Sequence, residues 1–147
     1  MKIELILKTK NPNKTRDFYS ALGIKWLGGE DLVDEIQEYE DGNMGLPDLV
    51  GIIGNVEISF YIDRNFVGGN ICSPLIAFNP VSSEEFESII MRLKEDNLYV
   101  KTENSKPFVQ ETLLDPDGHR IAICPIDPFK NFRYLTEIVH RKVGDDN

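Results

Sequence analysis

The most constraining feature of this 147-residue chain is an order of strand and helix patterns that occurs twice. In each half, a strand-like segment leads into a helix start, and three more strand-like segments follow. The segment from Glu4 matches the segment from Leu75 at an offset of 71 residues, and the helix start Asn11-Pro12 matches Asn79-Pro80 at an offset of 68. Such repetition is typical of a duplicated structural unit. The alternative is a chance likeness between two unrelated α/β segments.

In the first half, residues 3–9 alternate between the two faces expected of a strand. Asn11-Pro12 predicts a capped helix start, and Gly23 predicts the end of that helix. The acidic stretch from Glu30 to Asp41 is expected to form a solvated edge hairpin, although it could also attract a cationic partner. Three strands are predicted after the helix: residues 24–28, residues around 35–53 with a turn at Asp41-Gly42, and residues 56–62.

In the second half, Ser82 and Glu85 form a predicted capping box, and Val81 with Phe86 forms a predicted hydrophobic staple. The helix that they begin should stop near Asn97. The strands of this second half are predicted at residues 74–79, 98–102, 108–114 and 119–124. Asp115-Pro-Asp-Gly predicts a tight reversal between the last two of these strands. The chain therefore predicts an α+β fold of two βαβββ modules, at about 2–62 and 73–126, within one domain of residues 1–127. Residues 128–147 predict a helical tail that covers the core or contacts a second subunit.

The charge balance excludes several classes of partner. Sixteen Lys and Arg residues against twenty-five Asp and Glu residues give a formal net charge of −9. Nucleic-acid binding needs a basic face, and anionic membranes repel an acidic protein, so neither partner is expected. No apolar run approaches the ~18 residues of a membrane span, and the amino-terminal segment does not resemble a signal peptide. Two isolated cysteines, Cys72 and Cys124, predict buried reduced thiols in a cytoplasmic protein.

Two motifs carry a family resemblance. Residues 11–24 (NPNKTRDFYSALGI) and residues 114–121 (LDPDGHRI) resemble the opening helix and the closing hairpin of the vicinal oxygen chelate superfamily. That group includes glyoxalase I, bleomycin-resistance and fosfomycin-resistance proteins and extradiol dioxygenases. The resemblance covers about residues 2–126. It implies two modules whose sheets curl as one mixed sheet around a cleft, usually within a homodimer.

The resemblance also implies four cleft-facing positions that hold a metal ion in the catalytic members. The first falls on Glu4, and the second falls on Glu57 or Ser59. The third and fourth fall on Leu75 and Ala122, which have no metal-binding atoms. A catalytic transition metal needs about three protein ligands, so we expect no metal and no cofactor here. No catalytic residue can be named.

Strand alternation predicts which side chains line the cleft, and they are mostly apolar with one or two carboxylates. This lining is typical of a site for a small organic molecule, and its carboxylates favour a cation. The closest functional analogy is with the metal-free, bleomycin-resistance type of binding protein. The predicted lining residues are Glu4, Ile6, Trp26, Glu57, Ser59, Tyr61, Leu75, Ala77, Thr112, Ala122 and Cys124.

Other interpretations of the same residues stay open. Glu4 and Glu57 could be ordinary carboxylates on a solvated sheet face, and Trp26 and Tyr61 could be core or dimer contacts. His119 is expected to face solvent beside its turn. At the level of function, the alternatives are a divalent-metal lyase, isomerase or thiol transferase with an unusual ligand set, and a non-catalytic interaction or regulatory protein.

Overall fold

A computed structural model describes residues 1–68, 76–78, 80, 82–100 and 111–123. The predicted tail at 128–147 lies outside the described residues, as do Leu75 and both cysteines. The described elements are β1 (Glu4–Thr9), α1 (Pro12–Leu22), β2 (Lys25–Trp26), α2 (Asp31–Glu40), β3 (Leu49–Ile53), β4 (Val56–Ile62), β5 (Ile76–Phe78), α3 (Ser83–Glu95), β6 (Glu111–Leu114) and β7 (Arg120–Ile123).

The two halves share one strand topology. The first sheet has the order β1-β4-β3-β2, and the second has the order β5-β7-β6. In the first, β1 pairs parallel with β4 and β3 pairs antiparallel with β4. In the second, β5 pairs parallel with β7 and β6 pairs antiparallel with β7. This confirms a mixed α+β architecture with two related units, and the described strands form no closed barrel. The exact limits of the modules stay predictions.

The first helix forms where its end signals predict. The Asn11 side chain accepts a hydrogen bond from the backbone N–H of Lys14 at 3.2 Å, and Pro12 occupies the first turn. At the other end, Gly23 has a φ of +98°, a left-handed conformation that glycine adopts without steric cost. Phe18 and Tyr19 are completely buried between these ends. The helix therefore has fixed limits, and it covers the inner face of the first sheet.

Residues 31–40 form the helix α2, so the predicted strand and edge hairpin in this region are wrong. Leu32 and Ile36 are four residues apart, lie on one side of the helix and are buried. The acidic residues between them occupy the exposed sides. The many acidic residues of this segment favour the prediction of a solvated edge hairpin, although the spacing of its apolar residues is helical.

The second helix start is confirmed by its cap. The Ser82 hydroxyl accepts a hydrogen bond from the backbone N–H of Glu85 at 3.1 Å, whereas the staple residue Val81 lies outside the described residues. The helix α3 ends at Glu95, and Asn97 follows with a φ of +56°. Residues 98–100 are not a strand, in contrast to the prediction for 98–102. One backbone hydrogen bond, from Leu114 to Val100 at 2.9 Å, joins them to β6.

Both modules contribute to one apolar core, and α1 contacts α3 across it. The Arg92 guanidinium donates two hydrogen bonds, at 2.7 and 3.2 Å, to the carbonyl oxygen of Ala21 at the end of α1. This contact closes the last turn of α1 with a donor from the other module. The core residues with the lowest exposure are Phe18, Tyr19, Leu32, Ile36, Leu49, Ile58, Leu93, Leu113, Ile121 and Ile123.

A buried polar cluster joins the β6–β7 turn to the first module. One oxygen of Asp117 accepts the backbone N–H of Lys10 at 2.7 Å, and the other accepts the Thr15 hydroxyl at 3.2 Å. Asp115 accepts the Tyr19 hydroxyl at 2.7 Å. We call the side chains of Thr15, Tyr19, Asp115, Asp117 and His119 the turn lock. The contact of His119 is described below. The β6–β7 turn therefore forms a buried contact between the two modules.

His119 is buried, so the prediction that it faces solvent is wrong. Its Nε2 lies 2.8 Å from the carbonyl oxygen of Lys8, which requires that Nε2 carry a proton and donate. Its backbone N–H donates to Asp115 at 2.8 Å. The turn packs against β1 and α1, and residues more than a hundred positions away in sequence create that contact. No local pattern around His119 could reveal it.

Burial changes the proton affinity of two members of the turn lock. Desolvation raises the pKa of the Tyr19 hydroxyl well above its usual 10.0, and the negative charge of Asp115 adds to this. Desolvation also raises the pKa of Asp115, although the hydrogen bond from Tyr19 opposes the change. The raised pKa keeps the Tyr19 hydroxyl protonated at neutral pH, so this hydroxyl is the donor in its hydrogen bond to Asp115.

In the described part of the chain, no helix has the length and apolar content that a membrane span requires.

Candidate ligand-binding site

The first sheet has one face away from its helices, which we call the outer face. The register places Glu4 beside Glu57, Ile6 beside Ser59, and Lys8 beside Tyr61. Directly paired residues project to the same side of a sheet, and β3 extends two of these rows. The outer face comprises Glu4, Ile6, Lys8, Lys25, Val50, Ile52, Glu57, Ser59 and Tyr61. Glu57 is the residue opposite Glu4, and Ser59 is one step further along the same face, so both candidates for the second implied metal position lie on the face of Glu4.

The two carboxylates of the outer face have different partners. The Ser59 hydroxyl donates to Glu4 at 2.9 Å. Glu57 forms an ion pair with Lys2 at 2.7 Å, and this contact raises the pKa of the exposed Lys2 ammonium group. Among the described residues, Glu4 has no ion-pair partner. Glu4 is therefore the more available of the two carboxylates for a bound cation, although the Lys2 ammonium group is close enough for its charge to interact with Glu4.

Large apolar groups surround these carboxylates and remain in contact with solvent. Ile6 is 67% exposed, Tyr61 is 59% exposed and Ile52 is 38% exposed. Single exposed apolar residues are common, but three on one face of one sheet form a patch of the kind that binds a ligand or a partner. The strand alternation had assigned Ile6 and Tyr61 to this face.

Trp26 lies on the opposite face, in contrast to its predicted place in the cleft. It pairs with Gly51, which pairs with the buried Ile58, so all three belong to the helix-covered side. The indole N–H donates to the Ser20 hydroxyl at 2.8 Å, and the ring lies 5.7 Å from that of Phe60. Trp26 is therefore a packing residue between β2 and α1.

The second sheet does not supply a matching open face from its predicted residues. Ala77, Thr112 and Ala122 share one side of that sheet through the pairing of β5, β7 and β6. Ala77 is exposed, but Thr112 and Ala122 are buried. Leu75 and Cys124 lie outside the described residues. The structure thus brings together Glu4, Ile6, Glu57, Ser59 and Tyr61 on one face, whereas Thr112 and Ala122 are buried in the second sheet.

The donors present do not fit a catalytic metal ion. Within residues 1–68, 76–78, 80, 82–100 and 111–123, no three His, Cys, Asp or Glu side chains come together in a group that could hold one. Glu57 is already paired with Lys2, and the buried Ala122 offers no donor. Two carboxylates fall short of the roughly three protein ligands that such a site needs.

Sequence reasoning missed an apolar cavity between the modules. It has a volume of about 380 Å³, and Asn55 and Glu85 are its polar lining residues. A cavity of about 150 Å³ suffices for benzene, so this one could hold a molecule of two rings. Alternation assigned the apolar wall to the helix side correctly, but it carries no information on how completely that side packs. The apolar wall includes Leu5, Leu22, Ile58, Ile76, Phe78 and Ile89.

Comparison with known proteins gives structural matches only. No family model matches the chain, and no curated protein matches its sequence. Among solved structures, it is similar to a possible glyoxalase from Bacillus cereus, with 17% identity, a TM-score of 0.58, and coverage of 84% of this chain and 97% of the other. It is also similar to the YycE protein of unknown function from Bacillus subtilis, a candidate glyoxalase/fosfomycin resistance protein, with 18% identity, a TM-score of 0.59, and coverage of 84% and 88%. A lactoylglutathione lyase from Agrobacterium tumefaciens matches with 11% identity, a TM-score of 0.53, and coverage of 85% and 92%.

These matches confirm the fold that the two sequence motifs indicated. The chain shares the fold of these glyoxalase-type structures. At identities below one fifth they carry no substrate or reaction across. The function must be argued from the side chains of this chain.

Proposed function

We propose that this protein binds a small organic cation with an apolar or aromatic body on its outer face, and that it does so without a metal ion. One observation carries the proposal: the hydrogen-bonded pair Glu4–Ser59 lies beside two largely exposed apolar side chains, with Ile6 opposite Ser59 and Tyr61 one step further along β4. A site of this kind buries the body of a ligand on apolar groups and orients its charge with one carboxylate.

The electrostatics support a cation over an anion. Glu4 has no ion pair among the described residues, so binding a cation there does not require breaking one. The tyrosine ring adds a surface that attracts an organic ammonium group through its negative face. The formal net charge of −9 favours the approach of cations over the whole molecule.

Glu4→Gln tests the proposal because it removes the charge and keeps an oxygen that can accept from Ser59. Wild-type protein is titrated with bleomycin and with benzyltrimethylammonium, and benzyl alcohol serves as the uncharged counterpart. The cations are expected to stabilise the folded protein by about 2.7 kcal/mol at a concentration of 100 times Kd, and the melting temperature should rise accordingly. Glu4→Gln should weaken cation binding about tenfold and leave benzyl alcohol unchanged.

The matched control is Glu38→Gln, which changes the net charge equally on the exposed side of α2. It should bind the cations as the wild type does. Backbone amide shifts of Ile6 and Tyr61 in NMR spectra locate the ligand. The proposal is contradicted if no cation stabilises the protein, if Glu4→Gln binds as tightly as the wild type, or if the outer-face amides do not respond.

The proposal includes a homodimer in the cytoplasm. The outer face of one subunit is open, and a second subunit would give the ligand another wall. Sedimentation velocity should give about twice the 16.8 kDa mass of one chain. A single-chain mass at micromolar concentration, or recovery of the protein outside the cytoplasmic fraction, would contradict this part.

A further inference from the structure

A groove lined by basic side chains lies apart from the outer face. It is a groove of about 920 Å³ between the start of α1, the segment that follows β4, the end of α2 and the β6–β7 turn. This volume lies within the range of natural ligand pockets. We call it the basic groove. Its lining residues are Lys10, Asn11, Lys14, Glu40, Arg64, Phe66, Val67, Gly68, Pro116, Asp117 and Gly118.

Three cationic side chains line this groove in a strongly acidic protein. Its two acidic residues are engaged: Glu40 bonds Arg64 at 3.3 Å, and Asp117 is buried and accepts from Lys10 N–H and the Thr15 hydroxyl. Lys10 and Lys14 are exposed, and neither ammonium group has an ion-pair partner among the described residues. The three cations and two carboxylates of the groove lining therefore leave one net positive charge, and both lysine ammonium groups are without an ion pair in the described part of the chain.

Arg64 is held in place by α2. Its Nε donates to the Tyr39 hydroxyl at 3.1 Å, its terminal nitrogen donates to Glu40, and its guanidinium carbon lies 4.9 Å from the centre of the Tyr39 ring. A guanidinium group fixed in this way loses little conformational freedom when it binds an oxyanion. Arg64 therefore supplies a pre-organised donor beside the two lysines.

The groove also has an aromatic wall. Phe66 stacks on the His119 ring with 5.7 Å between centroids and 23° between planes. His119 is itself fixed by Lys8 and Asp115 in the turn lock, and the Phe66 N–H donates to the Asp63 carbonyl at 3.0 Å. A ring that is fixed from behind offers a ready surface to a second planar ring.

We propose that the basic groove binds an aryl phosphate monoester. The dianionic phosphate group is placed between Lys10, Lys14 and Arg64, and the aromatic ring is placed against Phe66. A phosphate monoester carries close to two charges above its second pKa of about 6, so it can pair with the ammonium groups of both lysines. This site is separate from the outer face and does not depend on the function proposed there.

The test is a titration of the full-length protein with phenyl phosphate, followed by backbone amide shifts. Inorganic phosphate measures the anion alone, and benzyl alcohol measures the ring alone. We expect saturable shifts at Lys14, Phe66 and Gly118, with phenyl phosphate bound about tenfold more tightly than phosphate. Affinity should also rise as the pH increases from 5 to 7, since the dianion then forms. Shifts at Ile6 and Tyr61 should be absent.

Two variants separate the parts of the site. Lys10→Gln with Lys14→Gln should weaken phenyl phosphate binding about a hundredfold, whereas Lys25→Gln, an exposed lysine on β2, should not change it. Phe66→Leu should reduce phenyl phosphate to the affinity of inorganic phosphate and leave the latter unchanged. The proposal is overturned if the groove amides do not shift, if the lysine variants bind normally, or if phosphate and phenyl phosphate bind equally to the wild type.

Discussion

Asp117 connects both ends of the described chain through a single buried carboxylate. Its two oxygens receive a backbone N–H from the end of β1 and a hydroxyl from α1, over separations of 107 and 102 residues. A buried donor that loses its acceptor keeps the full cost of its desolvation, so removing this carboxylate costs more than the hydrogen bonds contributed in net terms. The stability of the first module thus depends on a side chain from the second.

Asp117→Ala should lower the free energy of unfolding by about 1–3 kcal/mol, because the Lys10 N–H loses its acceptor, whereas the Thr15 hydroxyl keeps the Thr9 hydroxyl as a hydrogen-bond partner. Urea denaturation measures this. Asp48→Ala, in an exposed position, is the matched control and should change stability by less than about 0.5 kcal/mol. Equal effects of the two variants would show that the turn lock contributes little.

Tyr19→Phe should destabilise the protein at pH 8 by about 1.5–3 kcal/mol, the range for a hydrogen bond to a charged group. The difference from the wild type should shrink above pH 10. The pKa of Tyr19 is raised in the folded state, so its contribution is complete below the unfolded value of 10.0 and is lost as the pH rises through the folded value. Urea denaturation at pH 8 and pH 10.5 measures both. A difference that grows with pH would contradict the assignment.

At the level of elements, α2 is a helix whose many exposed acidic residues make its sequence similar to that of an edge strand. Its apolar residues Leu32 and Ile36 face the core, while Val33 projects outward and is 50% exposed. In an edge strand, by contrast, residues separated by two positions would share a face. The helix and the strand therefore predict different sets of buried and exposed side chains in this segment.

Ile36→Ala should cost about 2–5 kcal/mol, since the side chain is completely buried. Val33→Ala should change stability little, because the higher helix propensity of alanine offsets the loss of a side chain that is half exposed. Thermal unfolding of both variants gives the comparison. A larger loss from Val33→Ala than from Ile36→Ala would contradict the helix.

Local sequence signals predicted α1, α3, β1 and β4 because caps and alternation act within a few residues. They also placed Glu4, Ile6, Glu57, Ser59 and Tyr61 on one face, since alternation alone decides that. They failed for Trp26, because β2 has only two residues and its orientation is set by pairing with Gly51.

The remaining errors have one physical cause. The burial of His119, Thr112 and Ala122 and the volumes of the cavity and the groove all depend on how distant segments meet. A motif such as Asp115-Pro-Asp-Gly-His correctly predicts a turn. It gives no information about the surface on which the turn packs.

At the scale of the whole molecule, the modules share their core, the contact of Arg92 with Ala21 and the turn lock. Such links across a boundary make unfolding cooperative, since neither module keeps its buried polar groups satisfied without the other. We therefore expect a single unfolding transition for the described core.

The single tryptophan makes this measurable, because Trp26 lies in the first module, between β2 and α1. Trp26 fluorescence and far-ultraviolet circular dichroism should give coincident urea transitions in the wild type. In the double variant Arg92→Ala with Asp117→Ala, the two curves should separate. Separate curves in the wild type, or coincident curves in the double variant, would contradict the coupling.

The turn lock also sets an order of events during synthesis. Thr15 and Tyr19 leave the ribosome about a hundred residues before Asp115 and Asp117, their partners. At 5–20 residues per second, α1 waits about 5–20 s for these carboxylates. A nascent chain of this protein can form its first sheet early, but the hydroxyl groups on the inner side of α1 acquire their final acceptors only when the last described hairpin is translated.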